Sequence, residues 1–103
     1  MSKSIIQTGE SVCFFCGRPT NLEKHHAIHG RGLRKLADED GLWVWLCVPH
    51  HHNLHDMPSH PHDDELKALA QKAWIKATMK QMGVPEMIAR ELFRKRYGRF
   101  YGD

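Results

Sequence analysis

The chain lacks any apolar run approaching the roughly 20 residues needed to cross a bilayer. Its first residues, from Met1 to Thr8, are mostly polar and show no leader pattern. Neither a membrane span nor a secretory leader is expected, which points to a soluble, cytoplasmic protein. Cysteine is scarce and odd in number: there are three. That argues against a disulfide framework and for thiolates on a metal in a reducing compartment. Internal repeats and low-complexity segments are absent. A strong charge of one sign is missing too, since 15 Lys and Arg against 12 Asp and Glu leave +3 with a pI near 8.9. Nucleic acid is permitted as a partner by that balance without being required. At 103 residues the chain is read as one domain, 1–103. A core of that size is marginal without help, and a structural zinc would supply it.

Histidine is abundant instead. Nine are present, all between positions 25 and 62. The densest stretch is Leu46-Cys47-Val48-Pro49-His50-His51-His52-Asn53-Leu54-His55. Cys47 and His50 have two residues between them, as do Cys13 and Cys16 upstream, where Gly17 follows for a tight turn. Zinc takes four such donors in a tetrahedron, so Cys13, Cys16, Cys47 and His50 are read as a structural zinc site. His51 is the alternative fourth ligand. His51 and His55 are four apart and would share a helix face. That face is a candidate for a second metal, with a third ligand from His25-His26. On a strand these two neighbours point to opposite sides, so one can face a metal while the other faces substrate.

The predicted elements follow in order. Residues 1–11 read as a loose arm and 12–17 as a zinc knuckle. A short strand is expected over 23–29, a helical turn over 33–37, a turn at 38–41 and a strand over 42–46. A helix begins at Pro49 or His50 and ends before Pro58. Residues 57–62 are expected to be loop. Asp63 caps a helix, with Asp64 and Glu65 in its first turn. Leu66, Leu69, Ala70, Ala73, Trp74 and Ala77 continue it at helical spacing, and Gly83 ends it. Pro85 suits the first turn of a last helix, which runs to about Tyr97 and stops at Gly98. Trp43, Trp45 and Trp74 are expected in the core. The plan is a core over 12–57 and a helical extension over 63–98.

Basic residues concentrate in two places. From Lys24 to Ala37 there are four (Lys24, Arg31, Arg34, Lys35) and no acid; from Arg90 to Arg99 there are five and one acid, Glu91. Arg31 and Arg34, on a glycine-bounded loop, are candidate phosphate clamps. Arg94 and Arg96, with Arg90, Lys95 and Arg99, are the second candidates. His60 and His62 flank Pro61 and are alternatives to His55 as metal ligand. His29 and His52 are assigned no role.

Taken together, Cys13-x2-Cys16, His25-His26-Ala27-Ile28 and Gly41-Leu42-Trp43-Val44-Trp45-Leu46-Cys47-x2-His50-His51 resemble the HNH nuclease family. More narrowly, they resemble small phage and prophage HNH proteins with a Cys3His zinc site. The resemblance covers residues 12–56 and, more weakly, the tail from Phe93 to Tyr101. It implies a small α+β domain with a ββα-metal active site, stapled by zinc and followed by C-terminal helices. It also implies a metal-dependent DNA endonuclease. By position, His25, His51 and His55 become ligands of the catalytic metal and His26 the general base. The asparagine that names the family has no counterpart near Leu42. Products would carry 5′-phosphate and 3′-hydroxyl ends. Mg2+, Mn2+, Ni2+ and Zn2+ are the candidate catalytic ions. The residue types suit that chemistry, since imidazole titrates near neutrality and takes a proton from water. The rival expectation is a non-catalytic zinc module that binds nucleic acid.

Overall fold

The computed structural model describes residues 3–30, 32–56 and 61–101, and their side chains apart from those of 53–56. It is a small mixed α+β structure. β1 (Leu22–His26) is followed by α1 (Leu33–Asp40), β2 (Trp43–Cys47), α2 (Val48–Asp56), α3 (Pro61–Met82) and α4 (Glu86–Tyr97). The two strands pair antiparallel, with His25 opposite Val44 and His26 opposite Trp43. Among the described residues no helix is long and apolar enough to cross a membrane.

Several boundaries differ from those read in the sequence. β1 stops at His26, and the chain turns inward so that Ala27 and Ile28 are buried. The expected helical turn at 33–37 and turn at 38–41 are one helix, α1. Gly41 ends it in the left-handed region, φ 75°, with Leu42 N–H on Ala37 O at 2.8 Å. That bond uses the Leu42 N–H for the cap, while its carbonyl still accepts from Ala27 N–H at 2.9 Å; β2 runs from Trp43. A Cβ on Gly41 would also collide with the backbone carbonyl of Lys3. Glycine is needed here for the turn and for the crossing chain alike.

α3 begins at Pro61, two residues before the expected cap. Proline suits a first helical position because its missing N–H would have no helical partner there. Asp63 therefore sits inside the first turn, and its carboxylate is used elsewhere. Pro85 occupies the N-cap of α4 rather than its first turn, and Gly98 closes α4 at φ 83°.

The arm expected to be loose is tied along the outer edge of β2. Ser4 Oγ donates to Trp43 O, Trp45 N–H donates to Gln7 Oε1 at 2.8 Å, and Phe14 N–H donates to Trp45 O at 2.8 Å. Two side chains and the Phe14 backbone N–H here satisfy edge groups that a third strand would otherwise take.

Leu42, Val44 and Leu46 are fully buried with Ala27, Ile28, Leu66, Ala70 and Phe93 in one apolar core. Trp43 is buried, whereas Trp45 and Trp74 are half-buried. Asp40, at the end of α1, anchors the helical pair. Trp74 Nε1–H donates to its Oδ2 at 2.9 Å, Arg96 Nε–H at 2.7 Å and Tyr97 O–H at 2.6 Å. One carboxylate thus ties α1 to both α3 and α4.

Candidate functional site

The first cluster joins Cys13, Cys16, Cys47 and His50. Gly17, at φ 78°, lets the knuckle turn, and its N–H bonds Cys13 O at 2.8 Å. Cys47 ends β2, and His50 lies in the first turn of α2. Cys16 Sγ is 3.8 Å from Cys47 Sγ, and His50 Nδ1 is 3.5 Å from Cys13 Sγ and 3.2 Å from Cys47 Sγ. Tetrahedral zinc with usual bond lengths puts two sulfurs about 3.8 Å apart and a sulfur and a nitrogen about 3.5 Å apart. The four donors can therefore hold a metal such as zinc. His50, rather than His51, is the histidine in the cluster.

Burial raises the pKa of the Cys13 thiol, but backbone N–H groups of Cys47, Cys16 and Phe15, together with His50, outweigh it and bring the pKa down to about 6. That group is prepared as a thiolate, the form that binds metal. For Cys16, a backbone hydrogen bond at Arg18 works downward, yet burial and the neighbouring Cys13 and Cys47 sulfurs leave its pKa raised. Sulfurs crowded this closely resist carrying negative charge together unless a cation sits among them.

The second cluster lies around a cleft of about 230 Å³ lined by Lys24, His25, His26, His29, Arg34 and His51. His25 is only 3% exposed. Its ring lies 5.2 Å from that of His51 and 5.9 Å from that of His29. Asp63, from the first turn of α3, reaches into this group. Its Oδ1 is 3.0 Å from His29 Nε2 and 3.9 Å from His25 Nε2, while its Oδ2 pairs with Lys67 Nζ at 3.1 Å. His25, His29 and Asp63 together are a second set of donors close enough for one ion. Burial pushes the Asp63 carboxyl up, but hydrogen bonds from His29 and Lys67 prevail and hold it below the usual range. His51 turns Nδ1 to Glu23 Oε1 at 2.7 Å.

His26, the next residue on β1, has different company. Its Nε2 is 3.0 Å from Asp38 Oδ1, and Lys24 Nζ is 3.2 Å from the same oxygen. Those two hydrogen bonds, His26 first, lower the Asp38 pKa. Asp38 is therefore ionised at neutral pH and accepts the His26 Nε2 proton, which leaves Nδ1 as the ring nitrogen available as a base.

Of the other residues singled out in the sequence, Arg34 lines the cleft. Arg94 pairs with Glu91, and Arg96 with Asp40 and Glu39. His62 stacks on Phe15, ring centroids 4.3 Å apart. His52 is exposed. Arg31 and His60 lie outside the described residues. His55 belongs to α2, but its side chain lies outside them too.

His29, Asp38 and Asp63 were not singled out as site residues. The spacing of four between His25 and His29 is the signal for the first, but a strand running through both would hold them about 13 Å apart, whereas β1 stops at His26. Neither aspartate carries a local signal, because each works across a tertiary contact. The chain matches no protein-family model, no curated protein and no solved structure.

Proposed function

We propose that the chain is a metal-dependent DNA endonuclease of the HNH type, with a structural zinc on Cys13, Cys16, Cys47 and His50 and a ββα-metal active site around β1. The observation that carries the reading is the pair His25 and His26. One imidazole is buried beside further metal donors, and the next is hydrogen-bonded to an ionised aspartate, and both line one cleft.

The donor set suits a divalent ion anchored at His25, since imidazole and carboxylate together bind zinc and the first-row transition metals. Such an ion supplies polarisation of a phosphoryl oxygen and stabilisation of the departing sugar oxygen. The chain's own residues do the rest. His26 Nδ1 takes a proton from the attacking water as the water oxygen bonds to phosphorus and the P–O3′ bond breaks, and the departing O3′ takes a proton from a second water to leave as the 3′-hydroxyl. Asp38 keeps the His26 ring in the tautomer that makes Nδ1 the base and stabilises the imidazolium that forms. Arg34 and Lys24, on the cleft wall, meet the phosphate charge.

The test is a plasmid nicking assay on the zinc-loaded chain across magnesium, manganese, nickel and zinc. Nicking in at least one metal, abolished by chelation and lowered about 10²–10⁴-fold by His26→Ala, is the expected result. DNA binding without nicking in any of the four would leave a zinc-built nucleic-acid-binding module in its place.

A further inference from the structure

We propose that His25, His29 and Asp63 form a divalent transition-metal site, in which His25 and His29 each offer Nε2 and Asp63 offers Oδ1. This deepens the nuclease reading and rests on it for what the ion does, but not for where the ion binds. It departs from the ligand set that the family resemblance implies, in which α2 supplies the partners of His25. Here they come from the bend after β1 and from the first turn of α3.

Three observations support the site. First, the donors converge. Asp63 Oδ1 stands 3.0 Å from one imidazole nitrogen and 3.9 Å from the other, and all three donor atoms lie within 4.8 Å of one another. An ion about 2.1 Å from each donor needs neighbouring donors about 3.0–3.4 Å apart. The His29–Asp63 pair is already at that spacing, and the His25–Asp63 pair must close from 3.9 Å by at least about half an ångström. The two imidazoles, within 4.8 Å of each other, must also draw together as the ion binds. Second, the carboxylate is held in place. Its far oxygen is paired with Lys67 Nζ at 3.1 Å, one helical turn on, so Oδ1 is aimed at the histidines. Outer partners of this kind orient metal ligands. Third, His25 and Asp63 are both buried, whereas His29 is half-exposed. Three protein donors beside an open cleft leave coordination positions for water or a phosphate oxygen, as in catalytic rather than structural sites.

Two imidazoles and one carboxylate favour manganese, cobalt, nickel or zinc over calcium. The simpler account is a structural ion pair that ties the bend at His29 to α3 through Asp63 and Lys67. Metal binding separates the two accounts without reference to cleavage.

The experiment is calorimetric and visible-absorption titration of cobalt(II) into the full chain with its zinc tetrad loaded and no DNA present. The variants are His29→Gln, Asp63→Asn, His51→Gln and Lys67→Met, and each is first checked for native melting by circular dichroism. The parent should take one further equivalent of cobalt, without the thiolate charge-transfer bands that mark binding at the tetrad. His29→Gln and Asp63→Asn should each weaken that binding by more than about 100-fold, beyond the range for losing an outer partner of a metal ligand. Lys67→Met removes an outer partner but no donor, so cobalt should still bind there, weakened by no more than about 10–100-fold. The proposal is overturned if the parent takes no further cobalt. It is equally overturned if His51→Gln loses the site while Asp63→Asn keeps it, or if Lys67→Met loses it as fully as Asp63→Asn does. A parent that binds cobalt as expected but never nicks DNA would sink the nuclease reading and leave the metal site standing.

Discussion

Asp38 and His26 are twelve residues apart in the chain and 3.0 Å apart in space, with the aspartate oxygen accepting the proton on His26 Nε2. The contact links the last turn of α1 to the end of β1. If His26 is the base, His26→Ala should lower the nicking rate by about 10²–10⁴-fold. Asp38→Asn should lower it less and leave cobalt affinity intact, because Asp38 orients the base and touches no donor of the second cluster. Rates and cobalt titrations on the same two variants check this. An Asp38→Asn rate equal to the parent's would remove Asp38 from the mechanism.

The Cys3His cluster predicts metal-dependent folding. Cys47 is 2% exposed and joins β2 to the tetrad, so Cys47→Ser should lose zinc and either unfold or melt far below the parent. Zinc analysis with circular dichroism decides the matter. Full zinc content with an unchanged melt would rule the tetrad out as a staple.

The two arginine groups should behave differently. Arg34 lines the cleft, so Arg34→Ala should weaken DNA binding for all sequences and reduce the salt slope by about one. Arg96 is already paired with Asp40 and Glu39. Arg96→Ala should instead destabilise the fold by about 1 kcal/mol, a fall of about 4–8 °C in melting temperature. Salt-dependent binding isotherms and thermal melts on both variants test the division. The reverse pattern would make α4 the DNA contact and the cleft arginine incidental.

Tyr97 predicts an alkaline limit. Burial, and then the hydrogen bond to Asp40, push its pKa up from the ordinary 10.0. The folded chain therefore keeps this proton at a pH where the unfolded chain releases it. The stabilisation is complete below the unfolded value and is lost as pH rises beyond it. Tyr97→Phe should cost about 1 kcal/mol at neutral pH through the lost hydrogen bond. Above pH 10.0 the gap between Tyr97→Phe and the parent should narrow. A gap that stays constant across the alkaline range would show that Tyr97 ionises alike in both states.

Local pattern was enough to read four zinc-ligand candidates, the strand with the histidine pair, and the helical C-terminal half. Two cysteines separated by two residues can present both sulfurs to one ion once the chain turns between them, as Gly17 lets it do, and Cys47 and His50 are brought together by the start of α2. Apolar spacing marked α3, and Gly83, Pro85 and Gly98 marked the turns around α4. The acidic run at 38–40 misled, because acids in the last turn of a helix oppose its dipole and favour a turn reading. Tertiary contacts outweigh that cost. Asp38 is met by His26 and Lys24, and Asp40 by Trp74, Arg96 and Tyr97. The partners of the histidines were set the same way. Asp63 lies 34 residues from His29 and reaches it only because α3 packs its first turn beside the end of β1. Sequence spacing determines which donors are neighbours along one strand or one helix. Which carboxylate faces which imidazole across two elements is decided by how their buried faces pack, and a single chain carries no local signal for it.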